Sequence, residues 1–313
     1  MIKEEFYFDS RDGENRIHAV RYTPDDGNVR GIVQIVHGMA EYVERYENLA
    51  EFLTKRGILV TGEDHLGHGK SVSEGGTFGY FCEQDPATVV VRDVHRLKKI
   101  TEEQYPQVPY IILGHSMGSF IARNYLCRYG SGIDGAVIVG TGMQPAGLIF
   151  ASKAMAGIQK LFCGSKHVSH FIDKAAFGGY NKRIDSPRTS SDWLSRNTEN
   201  VDRYIEDELC GFTFTVNGFQ TLFELIRRLQ KQENLEKVPQ NLPILMVSGA
   251  EDPVGDYGKG VHKACDSLKR AGVKNITVKL YENDRHELLN EDDAEVAMED
   301  IWQWICKEIP GVA

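Results

Sequence analysis

The chain has 313 residues, and 36 lysines and arginines against 45 aspartates and glutamates give it a formal net charge of −9. Its 41% hydrophobic and 26% charged fractions exclude a mostly disordered chain. A net acidic chain without a basic block is also a poor nucleic-acid binder, because phosphate neutralisation needs clustered Lys and Arg.

Short apolar runs alternate with helical patterns along most of the chain, after an opening that resembles a β-hairpin. Because apolar strands that alternate with helices pair in parallel, we expect an α/β fold with both faces of the sheet covered. The predicted strands are 3–8, 16–22, 31–36, 58–62, 110–113, 134–139, 242–247 and 276–281. The predicted helices are 46–56, 88–105, 116–128, 258–270 and 293–307.

The alternation stops between about Pro145 and Pro239. This stretch has several amphipathic patterns and no clear strand, and it is too long for an ordinary loop. We therefore predict a core formed by residues 1–144 and 240–313, with a helical cap subdomain inserted at 145–239.

The compartment is indicated by the N-terminus and the cysteines. Residues 1–5 (MIKEE) lack the apolar segment of a signal peptide, and no stretch of about 18 apolar residues predicts a transmembrane helix. The six cysteines are scattered without a C-x-x-C pair, which favours separate thiols in a reducing cytosol over disulfides or a zinc site. We expect a cytoplasmic protein.

A candidate nucleophile lies in residues 114–118 (GHSMG), between a predicted strand and a predicted helix. This is G-x-S-x-G in the strand-turn-helix context that it requires. The turn is so sharp that side chains in place of the two glycines would collide, and the serine must adopt strained backbone angles. Ser116 is therefore predicted to expose its Oγ at a helix N-terminus, where the dipole favours developing negative charge.

A serine nucleophile needs a base and an orienting carboxylate. Of the two histidines after the insert, His262 falls within a predicted helix, whereas His286 follows a strand at the edge where α/β sheets bind ligands. Pro253 favours an extended conformation at Asp252, which suits a loop carboxylate. We predict His286 as the base and Asp252 as the acid, with Glu251 and then Asp256 as alternatives.

The oxyanion of an acyl-transfer intermediate needs two N–H donors. One comes from the residue after the nucleophile, Met117, and the other from the turn after the third strand. Residues 37–39 (HGM) occupy that turn, so Met39 is the predicted second donor. The alternative is that His37 and Gly38 only end the strand.

Residues 64–71 (DHLGHGKS) suggest other chemistry at first sight. A phosphate loop needs glycine where Asp64 stands, so that match fails. Asp64, His65 and His68 lack the spacing of a known metal-ligand set. We predict a tight turn under the active site, with no metal and no cofactor.

With these residues assembled, the chain resembles the monoglyceride lipase/lysophospholipase group of α/β-hydrolases over nearly its whole length. The resemblance implies that Ser116 is the nucleophile, Asp252 the acid and His286 the base, and that the insert is a lid lining an acyl channel. Ser119 stands where the mammalian monoglyceride lipases have glycine, and the segments around Asp252 and His286 look more like those of bacterial members. The matching segments are 37–39, 64–71, 91–94, 113–118, 194–197 and 201–204.

The insert carries two apolar sets, one in 146–162 and one in 212–226. Both could simply pack the cap onto the core, or part of each could line an acyl tunnel or touch a lipid surface. The predicted substrate-binding residues are Gly38, His115, Phe150, Phe212 and Phe219.

The predicted function is hydrolysis of lipid carboxylic esters, of the monoacylglycerol or lysophospholipid type, through an acyl-enzyme. Alternatives are a carboxylesterase or thioesterase for small acyl substrates, an aminopeptidase of the same fold, and a ligand-binding protein without turnover. The predicted partners are the lipid or ester substrate and, transiently through the cap, a membrane or micelle surface. The sequence leaves the oligomeric state open.

Overall fold

The computed structural model describes residues 1–312, so only Ala313, the last residue of the predicted core range, lies outside it. Eight strands form one sheet in the order β1-β2-β4-β3-β5-β6-β7-β8. The first two pairings, β1 with β2 and β2 with β4, are antiparallel, and all later pairings are parallel. The strands are β1 (Ile2–Asp9), β2 (Arg16–Thr23), β3 (Gly31–Val36), β4 (Ile58–Glu63), β5 (Tyr110–His115), β6 (Gly135–Val139), β7 (Ile244–Gly249) and β8 (Ile276–Tyr281).

Helices cover both faces of the sheet, which confirms the predicted α/β architecture. All predicted strands are present, with ends that differ by one or two residues from those expected. The helices are α1 (Glu47–Thr54), α2 (Pro86–Gln104), α3 (Met117–Tyr129), α4 (Ala146–Cys163), α5 (His170–Phe177), α6 (Thr198–Glu206), α7 (Val216–Leu229), α8 (Gln232–Leu235), α9 (Lys259–Arg270) and α10 (Ala294–Glu308).

The core consists of two apolar layers separated by the sheet. Successive side chains of a strand point to opposite faces, so Ile112 packs with α2, α3 and α7, whereas Ile111 and Leu113 pack with α1 and α10. Every residue of the central strands β3 to β7 is buried. The sheet therefore holds the loops at its carboxyl edge on a rigid base.

Helices α4 to α8 lie between β6 and β7, where the helical insert is predicted. Within residues 1–312 this segment contains no strand, only an isolated bridge between Val168 and Thr215. Its helix α7 is bound to the core, since Asn124 on α3 donates to the Leu225 carbonyl at 3.0 Å and Asn217 accepts from the Phe81 N–H at 3.0 Å. The boundaries of a separate cap subdomain stay a prediction.

None of the helices in the described part of the chain is both long enough and apolar enough to cross a membrane.

Candidate active site

Ser116 is the single residue between β5 and α3, and its backbone is strained. Its φ of 55° and ψ of −121° lie in a region that non-glycine residues rarely adopt. A Cβ at Gly118 would lie 1.9 Å from the Val36 carbonyl oxygen, and one at Gly114 would lie 2.5 Å from the Gly118 carbonyl oxygen. Glycine is therefore required at both places, because the start of α3 lies too close to the end of β3 for a side chain at Gly118 and too close to β5 for one at Gly114.

The turn after β3 lies directly against Ser116. A Cβ at Gly38 would be 3.1 Å from the Ser116 Cβ, and the Gly38 N–H donates to Glu41 Oε1 at 2.5 Å. The N–H of Met117 is the first of α3 and so has no partner within the helix. The N–H groups of Met39 and Met117 have no acceptor within residues 1–312. One free backbone donor therefore follows Ser116 in the chain, and a second belongs to the turn that lies against it. The role of both as oxyanion donors stays a prediction.

Asp252 and His286 are paired through loops that follow β7 and β8. His286 Nδ1 lies 3.0 Å from Asp252 Oδ1, and both side chains are buried. The carboxylate also accepts from the Val254 N–H at 2.8 Å and from the Ser248 hydroxyl at 3.1 Å. Since a carboxylate can only accept, the neutral tautomer of His286 that fits this pairing has its proton on Nδ1 and its lone pair on Nε2.

His286 Nε2 has no hydrogen-bond partner within residues 1–312. The ring lies beside the nucleophile turn, because its centroid is 4.7 Å from that of His115. A buried imidazole with one nitrogen held by a carboxylate and the other free is arranged to accept a proton. The alternative acids and the alternative base are not part of this buried pair. Glu251 and Asp256 are exposed, and His262 is exposed on α9.

A buried polar cluster lies under the Ser116 turn, around Glu41. Its carboxylate accepts from the Tyr46 hydroxyl at 2.8 Å and from Arg45 Nη1 at 2.7 Å, and it lies 3.3 Å from His115 Nδ1. Burial alone would raise the pKa of Glu41, but the His115 hydrogen bond and the Arg45 charge lower that pKa well below its usual range. The cluster therefore holds a carboxylate under Gly38 and His115.

The His286 loop is bound to the insert by contacts that the sequence did not indicate. Arg45 donates to both Glu287 carboxylate oxygens at 2.8 Å, and Asn200 on α6 donates to the same carboxylate at 2.6 Å. The Trp193 ring lies 5.1 Å from the His286 ring. Sequence analysis missed Glu41, Arg45 and Glu287, because Glu287 lies 242 residues from Arg45 and so leaves no local pattern with it.

Residues 64–71 form a buried turn next to this site. Asp64 accepts from the Val43 and Lys70 N–H groups at 2.9 Å and pairs with His18 at 2.8 Å. Burial lowers the pKa of His68 to about 3, so its ring is neutral. These side chains brace neighbouring loops, and no three of them converge as a metal-ligand group in the described residues.

The three predicted aromatic substrate contacts lie in different surroundings. Phe219 is fully buried among other phenylalanines, and Phe212 packs at 5.3 Å from the His68 ring. Phe150 is 77% exposed on α4. Gly38 and His115 both adjoin Ser116. Substrate contact by any of the five stays a prediction.

Known proteins match this chain along most of its length. Residues 27–293 match the family described as Hydrolase_4: Serine aminopeptidase, S33. The monoglyceride lipase of Rattus norvegicus is 29% identical over 273 residues, which cover 87% of this chain and 80% of that protein. The monoacylglycerol lipase of Mycolicibacterium smegmatis is 27% identical over 92% of each protein.

Solved structures agree on the α/β-hydrolase fold. A highly thermostable carboxyl esterase from Bacillus coagulans, in complex with glycerol, superposes with a TM-score of 0.91 at 31% identity and 99% coverage of both chains. A soluble variant of monoglyceride lipase from Saccharomyces cerevisiae, bound to a substrate analog, gives a TM-score of 0.76 at 20% identity. It covers 98% of this chain and 96% of its own.

Proposed function

This chain belongs to the serine aminopeptidase S33 family, Hydrolase_4, of the α/β-hydrolases, and on that premise we propose that it is a serine hydrolase of lipid carboxylic esters. Its substrates are of the monoacylglycerol or lysophospholipid type. The observation that carries the proposal is the buried Asp252–His286 pair beside the strained Ser116 turn.

The proposed reaction has two half-reactions, acylation of Ser116 and hydrolysis of the acyl-enzyme, and His286 transfers protons in both. Ser116 Oγ bonds to the ester carbonyl carbon while His286 Nε2 takes its proton, and the oxyanion accepts from the Met39 and Met117 N–H groups. Collapse of this tetrahedral intermediate expels the alcohol, which receives the proton from His286. Water then attacks the acyl-enzyme with His286 as base, which releases the carboxylic acid and restores Ser116.

Lipid esters are favoured over peptides by the relatives and by the insert. The relatives named above are monoglyceride and monoacylglycerol lipases, and the similar structure at 31% identity is a carboxyl esterase. An aminopeptidase would need insert carboxylates for the substrate amine. Asp207 instead accepts from the Tyr42 hydroxyl at 2.8 Å, while Glu206 and Glu208 are exposed to solvent.

The test compares monoacylglycerols and p-nitrophenyl esters of several chain lengths with aminoacyl anilides. We expect turnover of the esters, abolished in Ser116→Ala and retained in Ser73→Ala, which alters an exposed serine. A fluorophosphonate probe should label Ser116 in the folded protein. Ester turnover by Ser116→Ala, or anilide turnover that exceeds ester turnover, would contradict the proposal.

We also propose that the insert, residues 145–239, acts as a cap that touches a lipid surface. Helix α4 ends in two large apolar side chains that are 84% and 85% exposed, Leu161 and Phe162. Lys160 is exposed beside them and suits an anionic lipid headgroup. The other large apolar side chains exposed on α4 and α5 are Leu148, Phe150, Ile158 and Phe171.

Vesicle binding tests this contact. Leu161→Ser/Phe162→Ser should lose co-sedimentation with phosphatidylglycerol-containing vesicles and activity on vesicle-borne monoacylglycerol, yet hydrolyse soluble p-nitrophenyl butyrate normally. Val296→Ser, which alters an exposed apolar residue on α10, is the control. Unchanged vesicle binding in the double variant would overturn the proposed lipid contact.

We propose that the protein is located in the cytoplasm, and its six separate thiols support this location.

A further inference from the structure

Arg123 on α3 is a buried cation without a carboxylate partner in residues 1–312. It is 1% exposed, and its Nη1 donates to the Gly142 carbonyl at 3.0 Å and to Thr141 Oγ1 at 3.3 Å. Nε and Nη2 have no partner within the described residues. Burying a charge without an opposite charge is unfavourable, so this guanidinium lowers the stability of the fold unless neighbouring dipoles compensate its charge.

A chain of hydroxyl groups connects Arg123 to the nucleophile turn. Ser119 Oγ lies 2.6 Å from the Ser116 carbonyl oxygen and 2.8 Å from Thr141 Oγ1. Each hydroxyl carries one proton. Because Ser119 uses its proton on the Ser116 carbonyl, Thr141 must donate to Ser119, and the Thr141 oxygen is left to accept from Arg123. All three hydrogen bonds therefore point from the cation toward the Ser116 carbonyl.

The Ser116 carbonyl belongs to the same peptide unit as the Met117 N–H, the predicted oxyanion donor. That carbonyl also accepts from the Ser119 N–H at 2.9 Å. A peptide unit is conjugated, so drawing electron density onto its oxygen makes its N–H a stronger donor. Hydrogen bonds in a chain reinforce one another, and a low-dielectric interior strengthens the effect of the terminal charge.

We propose that Arg123, Thr141 and Ser119 form a relay that polarises the Ser116–Met117 peptide and so strengthens the Met117 N–H as an oxyanion donor. The three are positioning residues, because each acts through the Ser116–Met117 peptide. Arg123 is seven residues from Ser116 along α3, about 10 Å away. The inference rests on the proposed function, because it concerns the oxyanion of the same ester hydrolysis.

Thr141 offers the sharpest test, because one substitution removes only the hydroxyl. Thr141→Val keeps the side-chain shape and interrupts the relay, whereas Thr141→Ser keeps the hydroxyl and loses the methyl group. We expect Thr141→Val to lower kcat for p-nitrophenyl butyrate about threefold to tenfold with KM unchanged, well short of the roughly 100-fold loss on removing an oxyanion donor. Thr141→Ser should stay within about twofold of wild type.

Three further measurements separate polarisation from a merely structural role. In Thr141→Val, the affinity for a trifluoromethyl ketone inhibitor, which forms an oxyanion on Ser116, should fall by the same factor as kcat. The Met117 amide proton should move upfield in its NMR spectrum, since its N–H is less polarised. Ser119→Ala, which interrupts the relay at the next hydroxyl, should reproduce both changes.

The relay is overturned if Thr141→Val keeps the wild-type kcat and Met117 shift, or if Thr141→Ser loses as much activity as Thr141→Val. The second outcome would assign the loss to packing of the methyl group. Failure of the proposed function looks different: the wild-type protein itself would not turn over esters. The Met117 shift needs no turnover, so it reports on the relay in either case.

Discussion

At the scale of single residues, Asp93 on α2 is a buried carboxyl group that fixes the turn between β1 and β2. It accepts from the Ser10 hydroxyl at 2.7 Å and from the Arg11 N–H at 2.6 Å. Burial nevertheless raises the pKa of Asp93 to about 7, and the charge of Asp12 adds to the increase. Near neutral pH this carboxyl group is thus divided between its two protonation states.

The raised pKa of Asp93 gives the stability of the fold a pH dependence of known sign. Between about pH 4 and 7 the folded protein holds this proton and the unfolded chain does not, so the stabilising contribution of Asp93 falls as the pH rises across this interval and is lost above pH 7. Asp93→Asn cannot ionise and can keep both contacts. We expect the Tm of this variant minus that of the wild type, measured by calorimetry from pH 5 to 8, to increase by several degrees as the pH rises.

Asp292→Asn, which alters an exposed carboxylate, is the matched control and should show no such trend. A constant Tm difference between Asp93→Asn and wild type over this range would mean that Asp93 keeps an ordinary pKa.

At the scale of secondary-structure elements, the close approach of β3 and α3 determines the shape of the Ser116 turn. A Cβ at Gly118 would lie 1.9 Å from the Val36 carbonyl oxygen, and neither backbone segment can move away without leaving the sheet or the helix. We expect Gly118→Ala to abolish ester hydrolysis and to lower Tm sharply. Gly147→Ala adds a methyl group to α4 in open space, so it should retain activity and gain up to about 1 kcal/mol of helix stability.

Activity in Gly118→Ala at the wild-type level would show that α3 can shift away from β3. Purified variants would be compared by p-nitrophenyl ester turnover and thermal melting.

Local sequence pattern predicted the elements well and the contacts between them poorly. The Ser116 turn was predictable because its strand, glycines and helix are consecutive, and Asp252 could be preferred to Glu251 because Pro253 restricts its backbone. Exposure of Phe150 and burial of Phe219 depend on how insert helices pack on the core, which periodicity alone does not specify.

At the scale of the whole molecule, one ion pair joins three segments that are distant in sequence. Arg45 follows the Gly38 turn, Glu287 follows His286, and Asn200 belongs to the insert. The guanidinium donates to both carboxylate oxygens at 2.8 Å and lies 4.9 Å from the Tyr204 ring centroid. Glu287 is buried and the Arg45 side chain is only 10% exposed, so removal of Arg45 leaves Glu287 and Glu41 without this cation, whereas removal of Glu287 leaves Arg45 with Glu41 alone.

A double-mutant cycle on this pair tests whether it couples the three segments. Arg45→Met should lower the free energy of unfolding by about 3–5 kcal/mol in urea, because Glu41 and Glu287 both lose their cation, and Glu287→Leu should lower it less, because Arg45 keeps Glu41. The double variant should lose clearly less than the sum, because it no longer leaves Glu287 unpaired. Glu51→Gln removes an exposed pair with Lys55 and should leave the unfolding curve unchanged. Additive losses would mean that the two side chains stabilise their segments separately. A positive coupling, with kcat reduced in both single variants, would mean that the same contact that fixes the fold also holds His286 beside Ser116.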